Sequence, residues 1–265
     1  MLAAMIRGVL AVLIGWYLLK AIGRRVPVVH RLMARLTPWT GRLHRWVISA
    51  PATFCYIAVF SCFTLVQQTA PPRLIDIMTT IDSTNLTQLR SHTVSVLATS
   101  AFWLADHGNG LALYIVGFAT VVAWAERRYG TPRLALIAVS GHVFGSVLTE
   151  ALIGHAIDIG RAPARLANTT DVGVSYMLVA GAAAAVLALS GWLRLVAAAG
   201  LLGLLIEPMV TSHSVWNFGH AIAASCGLVV AVLCRLAGPL RTPEPLLRRE
   251  AAAEIPQPAV RLTKV

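Results

Sequence analysis

Charge is scarce in this sequence. Only 12% of the residues are Asp, Glu, Lys or Arg, and acidic residues are the rarer kind, 11 against 22 basic ones. A soluble domain carries roughly 25% charged residues, so a water-exposed globule is excluded. The hydrophobic share of 57% and a mean hydropathy of +0.72 point instead to an all-α, polytopic membrane protein. Cysteine is sparse too. Cys55, Cys62, Cys226 and Cys234 fall in apolar runs without metal-ligand spacing, so they read as small buried apolar residues, and neither a metal nor an organic cofactor is implied.

Other absences narrow the reading. No aromatic-rich basic motif accompanies the net charge of +11, so nucleic acid is not expected as a partner; Lys and Arg mark cytoplasmic loops and meet anionic lipid. No internal repeat is present, which argues against a transporter built from inverted repeats. No cleavage site follows the apolar stretch Gly8 to Leu19; Lys20, Arg24 and Arg25 come next. That stretch is short for a span and reads as a first helix or an interfacial one.

Three regions follow from the pattern of apolar runs: a hydrophobic and basic segment at 1–45, a membrane domain at 46–237 and a Pro- and Arg-rich tail at 238–265, expected to be disordered. Pro27 and Pro38 are expected to break the basic segment. Spans are expected at about 46–66, 107–125, 134–154, 171–190, 192–209 and 215–237. Between the first two, residues 67–92 read as a long loop with short amphipathic surface helices, and 94–105 as an approach to the second span. Glu126 to Gly130 reads as a tight charged turn. With the 20–45 segment inside, the outer loops hold only Arg73, Arg90, Arg161 and Arg165, which fits a six-span core starting and ending in the cytoplasm. The expected location is the cell membrane, with a cytoplasmic C-terminus.

This topology starts the spans at 171 and 215 from the same, outer face. Ser175 lies four residues into one and His220 five residues into the other, so at 1.5 Å per residue both sit roughly 6–8 Å below the outer edge. A serine and a histidine at matched depth make a minimal nucleophile and general base. Gly219, Ala223 and Gly227 recur every four residues beside His220, a small-residue strip that lets two membrane helices approach. Gly173 allows a backbone or substrate near Ser175, and Asp171 is a candidate cap for the helix start. A lone serine in an Ala-rich span more often bonds back to its own helix, whereas an intramembrane histidine is by default a functional hypothesis. His142, with Gly141 and Gly145, reads as packing; Glu150, His155 and Glu207, near outer ends, read as wet.

Four stretches carry a resemblance: "TSAFWLADHGNGLALY" (99–114), "ERRYGTPRLALIAVSGHVFGSVL" (126–148), "GVSY" (173–176) and "GHAIAASCG" (219–227). Over about 46–237 the chain resembles the rhomboid intramembrane serine proteases, particularly their divergent bacterial rhomboid-like relatives. The resemblance implies a six-helix core, possibly with an additional N-terminal helix, and a dyad of Ser175 as nucleophile and His220 as general base. It implies Asn109 and Gly173 as oxyanion or supporting positions. The family's second glycine after the serine is Tyr176 here, its oxyanion histidine falls on Ala105, with His107 two positions away, and its aromatic partner for the histidine falls on Val179. The implied activity is cleavage of transmembrane substrates near the outer face, with the segment 207–214 as a lid and the 67–92 loop as a lateral wall. The alternatives are a catalytically inactive rhomboid-like protein that binds client transmembrane segments and, third, a small channel or transporter lined by His142, Glu150 and His220.

Overall fold

The computed structural model describes residues 2–105, 108–211 and 215–243. Every regular element among them is a helix. Two helices precede the bundle: α1 (Leu2–Ile22), mostly apolar with Arg7 and Lys20 as its only charges, and α2 (Pro27–Ile48), amphipathic and basic. Pro38 does not break the basic segment as expected. It lies inside α2, where the Thr37 and Thr40 hydroxyls donate to the Met33 and Leu36 carbonyls at 2.7 and 3.3 Å and brace the turns on either side. The chain breaks instead at Ser49 and Ala50, because Pro51 opens the next helix and has no N–H to continue the previous one.

The first crossing, α3 (Pro51–Thr69), is fixed at its start by a residue from far along the chain. The Glu126 carboxylate accepts from the Ala52 and Thr53 amides at 3.1 and 2.8 Å and from the Thr53 and Thr131 hydroxyls at 2.7 and 2.6 Å. The glutamate of the charged turn therefore folds inward, satisfying amides that a helix start leaves open. Cys55 and Cys62 lie exposed on α3, not buried as expected; only Cys234 is buried and Cys226 is half-buried. Facing lipid, an exposed thiol on a membrane helix is no anomaly.

Within the expected loop the chain folds into α4 (Pro72–Ile81), amphipathic as anticipated, and the first part of α5 (Leu86–Ser100), which has no marked apolar face and is kinked at His92. Asn85 caps α5, accepting from the Gln88 amide at 2.9 Å. The approach segment after α5 is held by Gln67, which donates to the Leu104 carbonyl at 3.0 Å, and by Trp103, whose indole donates to Asp82 at 3.0 Å.

The second crossing runs continuously from 111 to 129 as α6 (Leu111–Gly117), a π-helical turn (Phe118–Val122) and α7 (Ala123–Tyr129). A π-turn disturbs the backbone ladder, and here the Trp46 indole donates to the Ala119 carbonyl at 2.7 Å. Four further helices complete the domain: α8 (Thr131–Asp158), α9 (Val174–Ala188), α10 (Gly191–Thr211) and α11 (Val215–Leu236). Among the described residues α3, α8, α10 and α11 are long and apolar enough to cross a membrane, and α9 is a shorter apolar helix. With the 111–129 crossing they form a polytopic bundle. Regular helix extends two residues beyond the expected end at 209, so the first part of the expected lid, 207–211, is the last turn of α10; residues 212–214 and the tail from 244 lie outside the described residues.

The three helices α8, α9 and α11 form the centre, while α10 buries no residue of its own against the rest. The close approach at the centre depends on small residues. A Cβ added at Gly227 would stand 2.7 Å from the Ala180 Cα and 3.0 Å from its carbonyl oxygen, which are backbone atoms that cannot swing aside. Gly227→Leu is therefore expected to cost about 3 kcal/mol or more through overpacking. Thermal unfolding in detergent checks this; an unchanged midpoint would show that α9 and α11 do not pack as described.

Candidate functional site

Ser175 is the second residue of α9 and His220 the sixth of α11. The packing of α9 against α11 brings their side chains together: Ser175 Oγ and His220 Nε2 are 2.9 Å apart, in a half-buried setting. In the tautomer that carries its proton on Nδ1, Nε2 is the acceptor facing the serine hydroxyl, the polarity a general base needs.

Tyr176 lies beside the pair. Its ring meets the His220 ring edge-on, with centroids 5.1 Å apart and planes at 72°. The aromatic neighbour of the histidine thus comes from position 176, directly after the serine, and not from Val179, the position that the resemblance implies for it. Tyr176 is 1% exposed. Gly219 makes room for it, since a Cβ there would collide with the tyrosine hydroxyl, and a Cβ at Gly145 would lie 3.5 Å from the ring.

The tyrosine hydroxyl donates to Asp171 Oδ2 at 3.3 Å, and the Thr84 hydroxyl donates to the same oxygen at 3.1 Å. Asp171 was expected to cap α9; it does not. The N-cap residue is Gly173, without a side-chain cap, and Asp171 is turned inward three residues before the helix. Burial pushes its carboxyl up to about 7, against the opposing pull of its Thr84 and Tyr176 hydrogen bonds. Its backbone is pinned as well: the amide donates to Ser83 Oγ at 2.7 Å and the carbonyl accepts from the Thr84 amide at 3.0 Å. The Gly173 amide donates to the Ser100 carbonyl at 2.9 Å. The turn between α4 and α5, together with the end of α5, therefore fixes the segment that delivers Ser175.

The remaining candidates are distributed unevenly around this pair. Gly173 presses against His142, where an added Cβ would overlap the imidazole. His142 is buried on α8 with Nε2 2.9 Å from the Leu97 carbonyl and 3.4 Å from Ser100 Oγ, a packing position as expected. Glu150 is fully buried, contrary to the wet position expected for it, because the α4–α5 turn and the 171–173 segment close over the end of α8; His155 and Glu207 are exposed. Ala223 is fully buried opposite Gly141 and Gly145. Asn109 is exposed in the turn before α6, and among the described residues no hydrogen bond joins its side chain to Ser175 or His220. Residues 101–105 and 108–110 are not helical, so no helical four-residue spacing is shown to align positions 105 and 109 on one face. Ala105 is exposed and has no donor to offer; His107 lies outside the described residues. No cluster of three metal-ligating side chains occurs among the described residues.

A family model described as rhomboid-like protein matches residues 45–239. No curated protein and no solved structure matches the chain.

Proposed function

Because the chain belongs to the rhomboid-like protein family, we propose that it is an intramembrane serine protease that cuts transmembrane substrates near the outer face of the cell membrane. The observation that carries this reading is the 2.9 Å contact between Ser175 Oγ and His220 Nε2. In the proposed reaction His220 takes the serine proton as Oγ attacks the scissile carbonyl. The protonated histidine then gives that proton to the leaving amine, and water resolves the acyl-enzyme. Gly173 caps α9 without a side-chain bond, so the first-turn amides beside Ser175 have no intrahelical acceptor and are the available donors for the oxyanion. Substrates with small or helix-weakening residues near the cut are favoured, because the scissile bond must leave its own helical ladder.

A second reading has its own support. Ala105 has no side-chain donor to offer where the resemblance places the oxyanion histidine, and losing one such donor lowers turnover by about a hundredfold or more. That favours a family member that binds client transmembrane segments without cutting them. One experiment divides the readings: reconstitute the full chain in vesicles with a single-span reporter bearing a Gly/Ala-rich stretch at its outer edge. A cleavage product that disappears with Ser175→Ala supports the protease. Capture of the intact reporter, equal for the parent and Ser175→Ala, supports the client-binding reading.

The orientation belongs to the same proposal. Arg128, Arg133, Arg194, Arg235 and Arg241 gather at the end of the bundle opposite Ser175. There the Arg241 amide donates to the Arg128 carbonyl at 2.7 Å, and Arg133 donates to the Gly238 and Pro239 carbonyls at 3.4 and 3.0 Å. By the positive-inside rule we read this end, with the C-terminus, as the cytoplasmic one.

A further inference from the structure

The elbow between α1 and α2 carries positive charge, and among the described residues no carboxylate pairs with it. The first acidic residue of the chain is Asp76, so no carboxylate precedes or belongs to either helix. Arg24, Arg25, His30 and Arg31 line a cavity of about 490 Å³ at this elbow. Arg24, Arg25 and Arg31 are all exposed, and an arginine carries its charge at any physiological pH.

The two helices that meet here differ in kind. Apart from Arg7 and Lys20, the 21 residues of α1 are uncharged and mostly apolar, with no preferred apolar face, whereas α2 is strongly one-sided. On α2 the exposed apolar residues Val28, Leu32, Trp39 and Leu43 follow one arc, and Arg31, Arg35, Arg42 and Arg45 follow the arc beside it. A mostly apolar helix enters hydrocarbon, and a basic amphipathic one lies along the membrane surface. Their junction then falls at the level of the lipid headgroups. At the far end α2 is tied to the bundle by the Trp46 indole and by Arg127, whose guanidinium lies 5.0 Å from the Trp46 ring centroid. The helix is thus held at one end and uncovered along its length.

We propose that this elbow is a binding site for the phosphate headgroup of an anionic phospholipid. Arg24, Arg25 and Arg31 take the phosphate oxygens, and Ile22, Val28 and Leu32, all exposed, lie against the acyl chains. Charge chooses the headgroup and the flanking apolar surface chooses a lipid over a free anion. The site is remote from Ser175 and does not depend on whether the protein cuts peptides.

The test uses the full chain in a neutral detergent, titrated with short-chain phosphatidylglycerol, short-chain phosphatidylcholine or inorganic phosphate and followed by native mass spectrometry. Phosphatidylglycerol is expected to bind saturably, and phosphatidylcholine and inorganic phosphate at least tenfold more weakly. The triple variant Arg24→Gln, Arg25→Gln, Arg31→Gln should lose about a hundredfold in phosphatidylglycerol affinity. Arg161→Gln, in the exposed segment after α8, should lose nothing. These arginines bear no fold contact, and far-UV circular dichroism verifies that the triple variant keeps its helices. Each single variant should lose a few-fold, so the result does not rest on the triple variant alone. Equal affinity for the two lipids, phosphate binding as tight as lipid binding, or an unchanged triple variant would each overturn the proposal.

Discussion

Replacing His220 by alanine is expected to slow the reaction of Ser175 with a fluorophosphonate by roughly 10³-fold, and Ser175→Ala to abolish it. The reason is the single 2.9 Å contact between Oγ and Nε2. A serine hydroxyl is a poor nucleophile until a base takes its proton, and His220 is the base within reach. The Tyr176 ring packs edge-on against its imidazole from another side. Labelling rates of the parent and both variants, measured at matched helicity, check the expectation. Equal labelling of the parent and His220→Ala would show that the contact has no chemical consequence.

The second large effect concerns stability. Glu126 is 1% exposed and accepts four hydrogen bonds, two from amides of the α3 start and two from threonine hydroxyls. Glu126→Leu removes every acceptor and leaves the Thr53 hydroxyl and amide buried without one. Each stranded donor costs roughly 1–3 kcal/mol, so a loss of about 3–4 kcal/mol is expected, enough to unfold a marginal protein. Glu126→Gln keeps one carbonyl oxygen and should lose about half as much. Unfolding midpoints in detergent give the order parent, Gln, Leu. A leucine variant as stable as the parent would mean that the α3 start does not need its cap.

Apolar runs of nearly membrane length are a strong local signal, and they place the crossings and their order in the sequence before any coordinates are seen. Matched depth likewise singles out Ser175 and His220, because rise per residue is fixed along a helix. What sequence hides is long-range polar pairing. Thr84 and Asp171 are 87 positions apart, and Thr53 and Glu126 are 73 apart; no periodicity links either pair. Asp171 therefore read as a helix cap and Glu126 as part of a surface turn. Tyr176 misled for a different reason. The resemblance places the histidine's aromatic partner four residues past the serine, at Val179. Yet α11 crosses α9 where His220 falls between the directions of Ser175 and Tyr176. Crossing geometry of that kind is set by packing, here by the small residues Gly141, Gly145, Ala223 and Gly227, and a pattern along one helix does not report it. Pro38 is the reverse case: a strong local rule, overridden in an exposed helix with little to disrupt around it.

The most direct measurement is peptide mapping by mass spectrometry of the full chain after reaction with a fluorophosphonate in membranes. The account predicts one stoichiometric adduct, on Ser175. An adduct confined to other residues, or an unmodified Ser175 after prolonged exposure in folded protein, would contradict it.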